Sequence, residues 1–403
     1  MKKNSFFPAL MLVSMVVFLT ACGAGGVHSR GHAPLSLGHG GNRHSVGNHE
    51  TAELTGSSAV LDMSRPATLD DISGSLAEKR VIYAGETHDN YAHHLTQLEL
   101  IKRIHQAHPD LAIGMEMFQR PFQQILDAFI EGSLDEREFL RKSEWFERWR
   151  YDYRLYRPIL QYALTNRIPL VALNASAEIR KRVSAVGFDG LTAEERSQIP
   201  GDIDRSDTTY TERLRSVFSQ HMGSGKRSFD HFLDVQLLWD ETMAETAALY
   251  LKSNPGRKLV VLAGSGHLKY GAGIPQRVAR RVAVESAIVL PATGLMIEPG
   301  IADYLLFPQM QALPKAGLIG VYMEEAENGV LVAGLSTNGA AAAAGVEGGD
   351  ILIELNGQRV TAPSDIRLEL LGRSPGERIQ MKVIRKQLLW GEKTLDFAFD
   401  LGE

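Results

Sequence analysis

The sequence has a single cysteine, Cys22, among its 403 residues, so no disulfide can form within the chain. The net charge of −5 provides no broad basic surface, which excludes nucleic acid as an expected partner. Two hydrolase signatures are absent, the Gly-x-Ser-x-Gly nucleophile turn and the His-Glu-x-x-His helix. Beyond the first 19 residues, no apolar run is long enough to span a bilayer.

The N-terminus has the pattern of an export signal. A pair of lysines precedes an apolar run over residues 6–19, which is too short for a standard membrane span. The run ends in Leu-Thr-Ala-Cys at residues 19–22, which resembles the lipobox of bacterial lipoproteins. That resemblance implies that residues 1–21 are a signal peptide and that Cys22 is lipidated. Because Gly23 follows the cysteine in place of Asp, the resemblance also implies an outer-membrane anchor, with the protein facing the periplasm. A plain secretory signal with a chance cysteine is the alternative.

Residues 22–57 are rich in Gly, Ser, Asn and His and have no apolar periodicity, so we expect a flexible tether. Five histidines lie there at irregular spacing, and weak metal binding is the alternative to a plain polar linker. The remaining chain divides into two predicted domains, residues 58–312 and residues 315–403, because the pattern changes from alternating strands and helices to short strands separated by glycine-rich turns. Pro314 marks the change between them.

The first predicted domain alternates strands with helices, which favours an α/β fold with a layered, mainly parallel sheet flanked by helices. Five apolar runs are candidate strands, over residues 80–85, 111–117, 168–173, 258–264 and 287–292. Helical spacing predicts helices over residues 94–108, 121–130, 139–163 and 229–252. The helix at 139–163 is rich in aromatic residues.

The second predicted domain is small and β-rich, with glycine-containing turns between short strands. The order Ala-Gly-Val at 344–346, Gly-Gly-Asp-Ile-Leu at 348–352 and Asn-Gly at 356–357, followed by a helix from Pro363, resembles a bacterial PDZ domain. PDZ domains bind a peptide or a protein C-terminus as an added strand at a sheet edge. The predicted peptide-binding residues are Leu318, Ile319 and Gly320 in a carboxylate-binding loop, and Ile366 and Leu370 on the groove helix. A PDZ fold whose edge is covered and binds nothing is the alternative.

Polar side chains follow three candidate strands of the α/β domain. Glu86 and His88 come after the first strand, Glu116 ends the second, and His267 follows the fourth in Gly-Ser-Gly-His. Because ligands bind at the carboxyl ends of strands in α/β sheets, we expect these side chains to share one rim. Two imidazoles and two carboxylates suit a divalent transition metal, and they equally suit general acid–base chemistry without a metal.

The segment Gly-Glu-Thr-His-Asp-Asn-Tyr-Ala-His-His at residues 85–94 resembles the ChaN-like haem-binding lipoproteins of the Tiki/erythromycin-esterase-like superfamily. Further matches are Glu-Met-Phe at 116–118, Trp-Asp at 239–240 and Gly-Ser-Gly-His at 264–267. The resemblance spans residues 60–300. The resemblance implies that the protein binds haem or an iron complex and takes part in iron uptake. It also makes a homodimer bridged by the ligand a possible assembly.

Two functions from different classes remain open at this point. In the first, haem contacts the side chains His88, His93, His94, Tyr270 and His267, with Arg150, Arg154 and Arg157 available for its propionates. The aromatic helix around Trp145 to Tyr156 would form a wall of the haem slot. In the second, a metal-dependent peptidase or esterase uses Glu86, His88, Glu116 and His267 as ligands and catalytic groups. Each of these histidines and aromatics also has a structural explanation in core packing.

Overall fold

The computed structural model describes residues 64–221, 228–387 and 391–403. The predicted signal peptide, Cys22 and the tether at 22–57 lie outside these residues, so their predictions are carried forward untested. Within the described ranges, no helix combines the length and the apolar character needed to cross a membrane.

The first domain is built on a six-stranded sheet in which every neighbouring pair is parallel, in the order β3-β2-β4-β1-β5-β6. The strands are β1 (Val81–Glu86), β2 (Leu111–Gln119), β3 (Leu170–Asn174), β4 (Lys258–Gly264), β5 (Ser286–Pro291) and β6 (Tyr304–Leu306). Along β1, Ile82 and Ala84 face one apolar cluster while Val81 and Tyr83 face another, so the sheet is covered on both faces. The predicted α/β fold with a mainly parallel sheet is confirmed, and only the short β6 was not predicted.

Helices supply both covering layers. They are α1 (Leu69–Glu78), α2 (Tyr91–Ala107), α3 (Gln123–Glu131), α4 (Glu136–Lys142), α5 (Trp145–Arg148), α6 (Tyr153–Asn166), α7 (Ala177–Val186), α8 (Ala193–Arg196), α9 (Thr208–His221), α10 (Phe229–Ser253) and α11 (Ile274–Arg281). The side chain of Asn90 caps α2 by accepting a hydrogen bond from the amide of His93, which fixes where the loop after β1 becomes helical.

The prediction of one helix over residues 139–163 is wrong. Three helices, α4, α5 and α6, occupy this stretch, because Glu144 (φ 51°) and Arg150 (φ 72°) take the left-handed conformation and interrupt the helical path. The second interruption, residues 149–152, turns an aromatic segment toward the carboxyl edge of the sheet. This segment becomes part of the candidate site described below.

The second domain is an antiparallel sheet in the order β12-β11-β9-β8-β7, with β10 paired to β9. Its elements are β7 (Val321–Ala326), β8 (Gly329–Leu335), α12 (Ala340–Ala343), β9 (Ile351–Leu355), β10 (Gln358–Arg359), α13 (Pro363–Leu370), β11 (Arg378–Gln387) and β12 (Gly391–Asp400). Asn356 and Gly357, in the turn between β9 and β10, both have positive φ, as a tight hairpin turn requires. Strand β7 is left at the end of the sheet, with α13 beside it.

Candidate functional site

Three adjacent strands bring the predicted acidic and imidazole side chains to one edge of the parallel sheet. Glu86 pairs with Gly264 at the end of the β1–β4 ladder, and Glu116 follows the last residue of β2 that pairs with β4. His267 lies in the 3₁₀ turn directly after β4. One ligand atom each from Glu86, His88 and Glu116 lies within 4.8 Å of the others. The predicted convergence of these strand ends is therefore present.

Glu86 and His88 form a hydrogen-bonded ion pair through Glu86 Oε1 and His88 Nδ1. Burial opposes the charge on both groups, but their mutual attraction outweighs it, lowering the pKa of Glu86 and raising the pKa of His88 to about 9. The second carboxylate oxygen, Glu86 Oε2, is buried without a hydrogen-bond partner among the described residues. His94 Nε2 lies 3.9 Å from that oxygen. A buried carboxylate oxygen with free lone pairs is a position where a cation or a donor group would be stabilised.

A second chain of charged groups runs through His267. Its Nε2 lies 3.5 Å from Glu116 Oε1, and its Nδ1 forms a 2.5 Å hydrogen bond with Asp240 Oδ1. Burial opposes the charge on His267, but Glu116 and Asp240 together raise its pKa to about 9. The hydroxyl of Tyr210 donates to Asp240 Oδ2 at 2.7 Å, and the amide of Gly264 donates to Glu116 Oε2 at 2.7 Å. Both carboxylates are thus fixed in orientation.

Gly264 is required by this close packing. A Cβ at this position would lie 2.9 Å from the His88 ring and 3.7 Å from Glu116 Oε2. Any larger residue would push the imidazole away from the end of β4. The glycine therefore allows His88 to lie directly against the strand.

His93 and His94 do not open onto this rim. Both are buried on α2; the Nδ1 of His93 accepts a hydrogen bond from the amide of Thr87 at 3.0 Å, and the Nε2 of His94 lies 3.2 Å from the His88 carbonyl oxygen. Burial lowers the pKa of His94 and lowers that of His93 to about 4, so both rings are neutral near pH 7. Their contacts hold the loop between β1 and α2 in place.

Tyr270, the tyrosine predicted to contact haem, is engaged elsewhere. Its hydroxyl donates a hydrogen bond to Glu298, and the guanidinium of Arg213 lies 4.0 Å from its ring centroid. It does not line the cavity described next.

An aromatic pocket lies beside His88. The rings of Trp149 and Tyr151 lie 4.8 Å and 5.1 Å from the His88 ring, and their outer sides border a cavity of about 630 Å³. We call this cavity the aromatic pocket; its lining residues are Asp89, Asn90, Tyr91, Trp149, Arg150, Tyr151, Asp152, Leu155, Met310, Gln311, Ala312 and Leu313. The volume falls within the range of roughly 300–1,000 Å³ that is usual for small-molecule sites.

The aromatic stretch around residues 145–156 was predicted to form a wall of a haem slot, and Trp149 and Tyr151 do line the pocket. They lie in an interruption between α5 and α6 and not on the predicted continuous helix. Asp240 was noted only as part of the Trp-Asp motif at 239–240. It lies on α10, and no local sequence pattern links it to His267. Of the three arginines proposed for propionates, Arg154 pairs with Asp152 and Arg157 with Glu136, while Arg150 lines the pocket.

The predicted carboxylate-binding loop of the PDZ domain is partly occupied. The amides of Gly317 and Leu318 donate to the carbonyl oxygens of Arg373 and Gly402, so Leu318 cannot offer its N–H to a peptide. Ile319 and Gly320 follow them at the start of β7, where Gly320 has φ 75°. On α13, Ile366 is buried and Leu370 is half-buried in the domain core, on the side that faces the sheet. The usable part of the predicted loop is therefore its second half.

Because the pKa of His88 and of His267 is raised to about 9, both imidazoles are protonated at neutral pH. In that state the two imidazolium groups can donate hydrogen bonds or a proton but cannot act as bases. A metal ion bound by Glu86, His88 and Glu116 would have to displace the proton from His88, so its affinity would rise with pH.

The model for haem-binding uptake proteins of the Tiki superfamily, ChaN, matches residues 72–278, and a PDZ domain model matches residues 317–398. The solved structure described as cofacial heme binding to ChaN of Campylobacter jejuni aligns with a TM-score of 0.50 and 18% identity, covering 60% of this chain and 92% of that one. The HtrA3 PDZ domain bound to a phage-derived ligand aligns with 21% of this chain and 84% of its own, at 21% identity and a TM-score of 0.18.

A chloroplastic protein of Arabidopsis thaliana, RETICULATA-RELATED 5, is 26% identical over 275 residues, which are 60% of this chain. The match spans 33% of the length of that relative. Because the ChaN model covers just over half of the sequence, the chain belongs to the ChaN family of haem-binding uptake proteins in the Tiki superfamily, and it carries a PDZ domain at its C-terminal end.

Proposed function

We propose that this protein binds haem in the aromatic pocket and serves iron uptake as a lipid-anchored protein. The observation that carries the proposal is the pocket itself, about 630 Å³ in volume and walled by Tyr91, Trp149, Tyr151, Leu155 and Leu313. Flat aromatic and aliphatic surfaces suit a planar macrocycle, whose burial is favoured by the hydrophobic effect and by ring stacking.

The pocket also offers groups for the polar parts of haem. The hydroxyls of Tyr91 and Tyr151 have no hydrogen-bond partner among the described residues, and a tyrosine oxygen is one of the axial ligands that haem iron accepts. Burial and the negative charges of Glu86, Asp89 and Glu116 raise the pKa of Tyr151 to about 12. Coordination by Tyr151 would therefore release a proton, and the affinity would rise with pH.

Arg150 supplies the counter-charge for a propionate. It is exposed at the pocket rim and has no ion-pair partner among the described residues, unlike Arg154 and Arg157. Guanidinium groups bind carboxylates through two parallel hydrogen bonds. When bound, haem would supply an iron centre. This chain would supply the aromatic pocket that holds it, a tyrosine oxygen as ligand, and Arg150 as the counter-charge to a propionate.

Anchoring and location are proposed on the sequence alone. The lipobox-like residues 19–22 support acylation of Cys22, and Gly23 supports an outer-membrane position facing the periplasm. A tether over residues 22–57 would reach about 30 Å in root-mean-square distance. Labelling with palmitate, followed by membrane fractionation of the wild type and Cys22→Ala, tests the anchor: the variant should lose both the label and the membrane association.

The haem proposal is tested by titrating the purified protein with hemin and following the Soret band. We expect a saturable shift near one haem per chain that survives gel filtration. Tyr91→Phe or Tyr151→Phe should alter the spectrum or weaken binding at least tenfold, whereas Tyr270→Phe, outside the pocket, should not. Unchanged binding in the Tyr91→Phe/Tyr151→Phe double variant would overturn the assignment of the pocket. The elution volume of the protein on gel filtration, measured with and without hemin, tests whether it forms a homodimer.

A metal-dependent hydrolase is the second candidate. It is favoured by the unpartnered Glu86 Oε2 and by the close approach of ligand atoms from Glu86, His88 and Glu116. These side chains would hold the ion, and His267 would act beside it as an acid. Peptide or ester turnover that requires added Mn²⁺ or Zn²⁺ and is lost in Glu86→Ala supports this function. Absence of turnover and of metal binding by calorimetry would remove it.

A further inference from the structure

Helix α13 of the PDZ domain is shared between the cores of the two domains. Ile366 and Leu370 belong to the apolar core of the PDZ domain. Leu368 is fully buried in the main core of the α/β domain, and Leu371, just beyond the helix, packs against that core. A helix that is buried on both sides cannot shift in one domain without changing packing in the other.

Polar contacts reinforce this attachment. On α4, Arg137 forms an ion pair with Glu369 at 2.8 Å, and Arg141 pairs with Asp365 at 3.2 Å. The guanidinium of Arg367 on α13 donates to the carbonyl oxygen of Phe146 at 3.3 Å and lies 5.9 Å from the centroid of its ring. The contacts of α13 therefore reach both α4 and α5.

Helix α5 leads directly into the wall of the aromatic pocket. It ends at Arg148, and the next residues are Trp149 to Asp152, which line the cavity. The indole N–H of Trp145 on α5 donates to the carbonyl oxygen of Tyr151 at 3.0 Å, tying the wall to the helix. A displacement of α5 would thus move the rings that border both the pocket and His88.

The opposite wall of the pocket is the segment that connects the two domains. Residues 310–313 line the cavity, and the carbonyl oxygen of Pro314 accepts a hydrogen bond from Arg154 Nη1 at 2.7 Å. Leu313 packs against the core of the α/β domain. Both walls of the pocket are therefore connected to the position of the PDZ domain.

The PDZ groove lies on the other side of α13, between this helix and the edge strand β7. A peptide that adds to β7 as a strand needs about 4.8 Å beside it. Cα atoms of α13 and β7 come within 8 Å of each other, which leaves too little space for a strand between them. Since α4 and α5 lie against α13, a peptide that adds to β7 would move this helix toward the α/β domain.

We propose that the PDZ groove regulates the aromatic pocket: a polypeptide C-terminus with an apolar last residue binds between β7 and α13, displaces α13 against α5, and lowers the affinity for haem. The inference rests on the proposed function, since it names the regulation of that same pocket. The apolar last residue is matched by Leu370, which is only half-buried, and its carboxylate by the amides beginning at Ile319. Ile366 is buried in the same core and supports the helix. Linkage requires that haem weaken peptide binding by the same factor.

The experiment uses the full chain, hemin and a decapeptide with a free C-terminal valine. Hemin affinity is measured by Soret titration with and without saturating peptide, and Trp149 emission is followed without hemin, with Trp149→Phe identifying its contribution. We expect hemin affinity to fall at least fivefold, within the usual range of coupling between sites. The same peptide with an amidated C-terminus should have no effect.

Arg367→Ala tests the proposed route, because it removes the contact with Phe146 without emptying either core. We expect the fivefold effect to shrink to less than twofold in this variant while both ligands still bind. Arg359→Ala, an exposed arginine on β10, is the matched control and should retain the full effect.

The outcomes separate this inference from the haem proposal. If hemin does not bind but the peptide changes Trp149 emission, the haem proposal fails and the coupling stands. If hemin and peptide both bind without affecting each other, the coupling is overturned and the haem proposal stands. A peptide that fails to bind also overturns the coupling.

Discussion

The two domains place their candidate sites in opposite ways. The α/β domain covers both faces of a parallel sheet and exposes its carboxyl edge, where the buried Glu86 and the partly buried His88 and His267 carry charge. The PDZ domain has an antiparallel sheet whose edge strand β7 offers main-chain groups beside an apolar helix. The first site depends on which side chains are ionised, and the second on backbone shape. Substitutions and pH should therefore affect the two domains differently.

The largest expected effect comes from Asp240→Ala. Asp240 is buried and forms hydrogen bonds with both His267 and Tyr210, so its loss leaves a largely buried imidazolium without one of its counter-ions. We expect the free energy of unfolding of the α/β domain to fall by about 3–5 kcal/mol. Asp396→Ala, at an exposed position on β12, should change the PDZ domain by less than about 0.5 kcal/mol. Urea denaturation measures both; a loss under about 1 kcal/mol for Asp240→Ala would contradict this account.

The stability of the α/β domain should depend on pH on both sides of neutrality. The pKa of His88 and of His267 is raised to about 9, so their stabilising charge is complete below about pH 6.5 and is lost as pH rises through 9. The lowered pKa of His93, about 4, acts in the other direction: its contribution is lost as pH falls from 6.5 to 4. The alkaline loss should be on the order of 3 kcal/mol for each raised histidine.

The PDZ domain provides the internal comparison for pH, since residues 315–403 contain no histidine. Its unfolding transition should not show a loss centred near pH 9 that His88→Gln or His267→Gln removes. Chemical denaturation between pH 5 and 10, with a probe in each domain, measures the two transitions separately. An alkaline loss that persists unchanged in His88→Gln and His267→Gln would show that the histidines are not its cause.

Gly320→Ala should act on the PDZ domain alone. The glycine has φ 75°, and a Cβ there would lie 2.8 Å from Gly339 Cα, so the loop before β7 must change shape. We expect peptide affinity to fall about tenfold, corresponding to 1.4 kcal/mol, with hemin affinity unchanged. Gly348→Ala, where the nearest heavy atom to a new Cβ is 4.0 Å away, is the matched control. Calorimetric titration with the valine-ending decapeptide makes the comparison.

The smallest expected effect is that of Arg141→Gln. Its ion pair with Asp365 crosses between the domains, but its side chain is 54% exposed, so water screens the attraction. We expect the free energy of unfolding to change by less than about 1 kcal/mol. A much larger loss in urea denaturation would mean that charge, more than the burial of Leu368, joins the domains.

The sequence predicted the fold well because both domains carry periodic signals. Buried strands appear as apolar runs, and the Asn356-Gly357 turn requires the positive φ that those residues tolerate. The convergence of Glu86, Glu116 and His267 followed from the rule that parallel strands end at one edge. These features depend on local sequence and on topology.

The break in the aromatic helix that shapes the pocket, and the role of Asp240, could not be predicted in the same way. Glu144 and Arg150 interrupt the helical stretch at 139–163 without a glycine or a left-handed turn signal, so Trp149 and Tyr151 were assigned to a helix. Asp240 meets His267 through the packing of α10 against the sheet, a tertiary contact. Tyr270 lies close to His267 in sequence, but its hydroxyl is bonded to Glu298. Sequence proximity is a poor guide where a turn reverses the side chain.

The position of iron in the hemin-loaded protein tests the central claim most directly. Anomalous X-ray scattering from a crystal of the full chain with hemin would locate the metal without reference to the macrocycle. The account predicts one iron peak in the aromatic pocket, bonded to the hydroxyl oxygen of Tyr91 or Tyr151. An iron peak among Glu86, His88 and Glu116, with the pocket empty, would contradict it.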